Sequence, residues 1–243
     1  MSADFEARLA TLIEDGRPEA LVALAQSQTA PEQSARAWLE AADMLMAHGS
    51  PEQAVGACVR AQQALRGLDA PLLQDRALLL RSEAVFQLEH PVSEDALAQA
   101  AERLLAAGAW SEVMRANQLL MDLALERGAL AEARRRFALA MGGAEADGYQ
   151  LAGPVLLMRL ARAELALGDP ARAQDPARAA YHRLEPVQLR TARLHQARCL
   201  DLLGDIAQAL GDRTTADACW ADAAERFTAL EQPKRAAKVL EKL

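Results

Sequence analysis

The chain has 243 residues, 51% of them hydrophobic, 25% charged and only 4% aromatic, with a net charge of −7 and a pI near 5.2. This length and composition suit a folded chain with an extended core. The acidic balance argues against nucleic acid as a partner, and the lack of an apolar run near the ~20 residues of a membrane helix argues against a membrane. With so few rings, the core must be filled by Leu against Ala, which lets helices approach closely. β-branched residues are sparse and never alternate over a strand's length, so an all-α chain is expected.

In chain order, the start from Met1 to Arg8 is charged and holds no apolar run, so no secretory signal is expected. Helices are predicted over residues 3–14 and 18–28, around a turn at Asp15-Gly16-Arg17-Pro18. The next pair covers 31–47 and 51–66, around His48-Gly49-Ser50-Pro51. Residues 72–89 and 93–107 form a pair without a turn glycine, broken at His90-Pro91 with Ser93 as N-cap. Pairs at 110–127 with 130–141, 150–167 with 170–184, and 187–210 with 213–229 turn at Gly128, Gly168 and Gly211. A helix at 234–242 closes the series. At each mark a Gly suited to positive φ ends one helix, and Pro, Ser or Asp opens the next. Residues 141–149, with Gly142, Gly143 and Gly148, read as a long loop. A hinge there is the alternative to one continuous domain over 1–243, which is preferred because isolated hairpins rarely bury their faces.

The turn glycines recur at 33 residues (Gly16 to Gly49), 40 (Gly128 to Gly168) and 43 (Gly168 to Gly211). Small and large residues repeat around them: Leu200-x-x-Leu203-Gly204 with Gly211, Ala216, Trp220 and Ala223; Trp38 with Gly49, Ala54 and Ala61; Leu120 with Gly128, Ala133, Phe137 and Ala140; and Leu157 and Leu160 with Gly168, Ala173 and Ala180. This pattern resembles tetratricopeptide repeats (TPR), in the longer-helix form found in bacterial signalling ATPases and transcription regulators. The resemblance implies a right-handed superhelical stack of five to six helix-turn-helix hairpins with a C-terminal capping helix. It also implies a concave groove, lined by the first helix of each hairpin, that takes a protein or peptide. Carried onto this chain, groove positions are Arg36, Glu40, Asp43, Arg115, Gln118, Asp122, Arg159, Arg162, Arg198, Asp201 and Asp205, with Met46 and Met158 as apolar contacts. Arg159 and Arg162 share a helix face and could hold a carboxylate or phosphate bidentately. Internal pairing with Asp122, Asp201 or Asp205 is the preferred reading of the two. A chaperone-type carboxylate clamp, which needs Lys and Asn, has no counterpart: Asn117 is the single Asn and no Lys precedes Lys234.

Other chemistry is thin. Cys58, Cys199 and Cys219 are scattered, as buried thiols of a reducing cytoplasm would be. His195 and Cys199 are four residues apart on one face, a spacing open to metal, yet they lack a fourth ligand, and a packing role is preferred. No nucleophile elbow, P-loop or dinucleotide fingerprint is present, so neither enzyme activity nor a cofactor is expected. Arg134-Arg135-Arg136 reads as a solvated run pairing with Glu132, and Lys234, Lys238 and Lys242 as the outer face of the capping helix. The expected function is a cytoplasmic, non-enzymatic interaction module. The alternatives are a sensor for a small peptide or metabolite acting on a partner protein, and a homodimer whose groove is filled by its own partner subunit.

Overall fold

The computed structural model describes residues 3–148 and 150–243. Met1 and Ser2 of the charged start, and Tyr149 of the expected loop, lie outside them. Among the described residues there are thirteen helices and no strand. They are α1 (Ala3–Glu14), α2 (Pro18–Ser27), α3 (Pro31–Ala47), α4 (Pro51–Ala64), α5 (Pro71–Gln87), α6 (Glu94–Ala106), α7 (Trp110–Glu126), α8 (Leu130–Asp147), α9 (Ala152–Ala166), α10 (Pro170–Leu184), α11 (Arg190–Ala209), α12 (Arg213–Ala229) and α13 (Pro233–Leu240). All but one end within about three residues of the position read from the sequence. The chain forms two compact units, one up to Leu120 and one from Met121, so the division falls inside α7.

In the first unit α1 packs on α2 and α3, and each later helix packs on the next up to α6; α3 also meets α5. Its core joins Leu21, Leu39, Leu65 and Leu80 to Ala35, Ala42, Ala54 and Ala61, all 0–1% exposed. In the second unit α8 packs on α9 and the series continues to α13, with α9 also touching α11. Contact between alternate helices, added to contact within each hairpin, is what stacking of repeats produces. Trp220 and Phe227 anchor the last part of this core, among Ala197, Ala216 and Ala223. The approach is closest at Gly204, where an added Cβ would lie 2.4 Å from Trp220 Nε1.

The turns repeat one hydrogen-bonded form. At the end of α3, Gly49 N donates to Met46 O and Ser50 N to Leu45 O, with Gly49 at φ +73°. The same pair of bonds closes α7 at Gly128, α9 at Gly168 and α11 at Gly211. It also closes α6 at Gly108. These are Schellman caps, which satisfy carbonyls that a helix end leaves open. The pair without a turn glycine, α5–α6, uses the same cap: Glu89 sits at φ +58°, with Glu89 N donating to Phe86 O and His90 N to Val85 O. Glu231 does likewise after α12. Asp169 and Asp212 cap α10 and α12 through their carboxylates, whereas Ser93 stands at the N-cap of α6 without a side-chain cap bond.

The expected loop at 141–149 is corrected. α8 continues through Gly142 and Gly143 to Asp147, and Gly148 ends it at φ +74°. Ala140, Met141, Gly143 and Ala144 are buried, and an added Cβ on Gly153 of α9 would lie 3.4 Å from Met141 Cε. Small residues at this contact let α8 and α9 pack closely, and that packing outweighs the poor helix propensity of the two glycines.

Candidate functional site

The first helices of the hairpins carry a ladder of ion pairs. In the first unit Arg36 of α3 donates to Glu6 of α1 at 2.6 Å, and Arg76 of α5 to Glu40 of α3 at 2.7 Å, with Glu112 of α7 at 3.5 Å on its other side. Arg115 of α7 forks onto Glu83 of α5 at 2.5 and 3.0 Å and also reaches Asp43 of α3 at 2.9 Å. Burial works against the Arg115 charge, but the bonds to Glu83 and the nearby carboxylates outweigh it and raise its pKa. Burial also lifts the Glu83 carboxyl above its usual range, against the pull of Arg115. In the second unit Arg159 of α9 binds Asp122 of α7. Each rung is a guanidinium on one first helix facing a carboxylate on another.

The ladder changes at the last three first helices. Arg162 of α9, Arg198 of α11 and Arg235 of α13 approach one another with neither an ion pair nor a side-chain hydrogen bond among the described residues. Burial lowers the Arg198 pKa, and the fields of Arg235 and Arg162 lower it further. His195 is lowered by burial and by the same three arginines, and its Nδ1 is buried without a hydrogen-bond partner among the described residues. These arginines border a recess of about 500 Å³ that Lys238, Lys242, Asp201 and Asp205 also line, with Phe227 and Val239 as its apolar floor. Both carboxylates are already engaged, since Lys242 Nζ donates to each at 2.6 Å. Asp205 accepts a further bond from Trp220 Nε1 at 3.2 Å, and the Lys242 ammonium lies 5.7 Å from the Trp220 ring centroid.

The expected site residues thus divide. Arg36, Asp43, Arg115, Asp122 and Arg159 are in ion pairs within the chain, and Arg162, Arg198, Asp201 and Asp205 share one recess. Gln118 is half-buried on α7, Met46 packs against the first core, and Met158 is only 4% exposed. Arg134 departs from the solvated reading: it forks onto Glu164, which is 3% exposed, at 2.7 and 2.8 Å, while Arg135 and Arg136 do bind Glu132. Lys238 and Lys242 also depart from the outer-face reading by lining the recess. Arg235 went unnoticed in the sequence, although it occupies on α13 the first-helix role that Arg198 has on α11. Cys58 and Cys199 are buried thiols pushed up to about 12 by burial. Among the described residues no group of three or more His, Cys, Asp or Glu side chains is placed to hold a metal ion. Nor is any helix there long and apolar enough to cross a membrane.

No protein-family model matches the sequence, and no curated protein matches it. Solved structures do share its fold. PilW, a widely conserved type IV pilus biogenesis factor, aligns with TM-score 0.66 at 18% identity over 98% of this chain and 100% of its own. BtubC from P. vanneervenii aligns with TM-score 0.64 at 17% identity, over 95% and 93%. NprR, solved in complex with its cognate peptide NprX, aligns with TM-score 0.64 at 12% identity, over 98% and 72%. The chain therefore has the fold of the TPR-like helical-repeat proteins.

Proposed function

We propose that this chain is a non-enzymatic interaction module that holds a protein or peptide against the first helices of its hairpins. The observation that carries the reading is the contrast along those helices, where paired arginines give way to an open, lined recess with unpaired ones. A preformed recess on rigid helices loses little entropy on binding. The likeness to NprR, solved with a peptide, supports a peptide as the occupant. Free, protonated thiols suit a reducing compartment, and we place the module in the cytoplasm. A sensor that binds a peptide and then acts on a second protein is the other reading, and that likeness supports its peptide-binding half alone.

Photo-crosslinkers placed one at a time test the proposal. Gln118 on α7 and Ala166 on α9 probe the first helices; Gln53 on α4 and Arg172 on α10 probe the second helices. The expected result is one stoichiometric partner, crosslinked from the first pair of positions and not from the second. Equal crosslinking from both sets would remove the first-helix face as the site. A crosslink to a second copy of the chain would favour a self-filled homodimer, and no partner at all would end the module reading.

A further inference from the structure

We propose that the recess framed by α9, α11 and α13 is an anion site that takes the carboxylates of an acidic peptide segment in the partner. This deepens the interaction reading above and rests on it. Elsewhere the chain neutralises the equivalent arginines. Arg36, Arg76, Arg115 and Arg159 each face a carboxylate supplied by another first helix: Glu6, Glu40, Glu83 and Asp122 respectively. At Arg162, Arg198 and Arg235 no such ion pair forms among the described residues. The two carboxylates that line the recess, Asp201 and Asp205, are both paired with Lys242 instead.

Five cationic side chains therefore border a recess with two carboxylates, both engaged. Like charges brought together in excess of their counter-ions raise the free energy of the unbound state, and an arriving anion relieves that repulsion while forming charge-assisted bonds. Burial is the main cause that lowers the pKa of Arg198 and of His195, and the neighbouring arginines add to it in the same direction. Guanidinium forks match carboxylates in pairs, and the rest of the ladder shows which anion these helices are built to meet. A recess of about 500 Å³ is within the range that holds a ligand of side-chain size. Phe227 and Val239, both buried, are the apolar part of its lining, and cations outnumber the carboxylates there by five to two. The overall charge of −7 offers an acidic peptide no general attraction, so its binding would report the recess itself.

The test uses the full chain and two labelled peptides, octaglutamate and octaglutamine, in fluorescence anisotropy at low and at physiological salt. Octaglutamate is expected to bind and octaglutamine not, with binding weakened by salt. In Arg162→Gln/Arg198→Gln/Arg235→Gln the affinity should fall at least about tenfold, given three lost charge-assisted contacts. Arg178→Gln/Lys234→Gln, which removes exposed cations outside the recess, should leave it unchanged. The single exposed change Arg235→Gln, which disturbs no packing, should still weaken binding and guards against a triple variant that fails to fold. Equal binding of the two peptides, or an equal loss in the Arg178/Lys234 control, overturns the proposal. So does inorganic phosphate binding to the recess where octaglutamate does not, since that would assign it to phosphate. The crosslinking above is independent of charge: a partner found there without octaglutamate binding removes the anion site alone. Octaglutamate binding with no partner found removes the module reading instead.

Discussion

Gly204 shows how finely the second core is set. Its missing side chain lets the Trp220 ring lie against α11, and Trp220 is 3% exposed, so the ring has nowhere to retreat. Gly204→Ala would gain up to about 1 kcal/mol of helix propensity and lose roughly 1–3 kcal/mol to overpacking. We expect net destabilisation in denaturant titrations, with a change in Trp220 fluorescence; an unchanged midpoint and spectrum would contradict it. The thiols make a second case. With Cys58 and Cys199 held protonated by burial, a thiol reagent near neutral pH should reach Cys219, which is only part-buried, well before the other two. Fast labelling of Cys58 in the native chain would show that this part of the core opens. At this scale the sequence is only partly readable. The Leu200–Ala223 pattern pointed to the Trp220 contact, and the preference for internal partners of Arg159 and Arg162 holds for Arg159, bonded to Asp122, and fails for Arg162. The open state of Arg162, Arg198 and Arg235 was out of reach, because it depends on how side chains from α9, α11 and α13 come together around one recess.

The helices and their turns were largely legible, since Gly at positive φ and Pro at the first helical position are local signals with local causes. Two places were not. Glu89 adopts the backbone of a turn glycine because the repeat around it demands that cap, at a cost of about 1–2 kcal/mol for an L-residue. The α8 glycines stay helical because their neighbours pack, a matter of tertiary contact that no local signal carries. The first of these yields a prediction. Glu89→Gly and Glu231→Gly should each stabilise the chain by about 1 kcal/mol, which for a chain of this size raises the melting temperature by about 2–4 °C. Glu231 has a partner in Arg190 at 3.6 Å, but both side chains are highly exposed and the pair should contribute little. A lowered melting temperature for both variants would mean that the glutamates hold these turns through some other interaction.

Within each unit, the main helix contacts among the described residues join elements no more than two apart in the chain, so its stability is close to a sum of neighbouring terms. The ladder reaches further than most, since Arg115 ties α7 to both α5 and α3 in the first unit. Arg115→Met would leave Glu83 buried beside Asp43 without its cation, which we expect to cost roughly 1–3 kcal/mol after allowing for partial exposure. The pH dependence has a definite sign. A carboxyl whose pKa is raised by folding stabilises the folded state below its ordinary range, and that contribution is lost as pH rises through the raised value. Removing Arg115 moves Glu83 higher still, so the deficit should be largest near neutral pH and shrink on acidification. Unfolding titrations at about pH 7 and about pH 5 would show it; a deficit that ignores pH would place the effect in packing instead.

The alanines that fill these cores, from Ala35 and Ala54 to Ala177 and Ala216, are fully enclosed. Such positions ask only that a side chain be small, and the leucines opposite ask only for bulk of roughly the right shape. A chain held together by that rule can exchange most of its letters without moving its helices. Saturation mutagenesis should therefore show stripes that reject size, between positions indifferent to identity. The fold can then persist where the sequence does not, which is how a chain can share its fold with PilW and BtubC at under one residue in five.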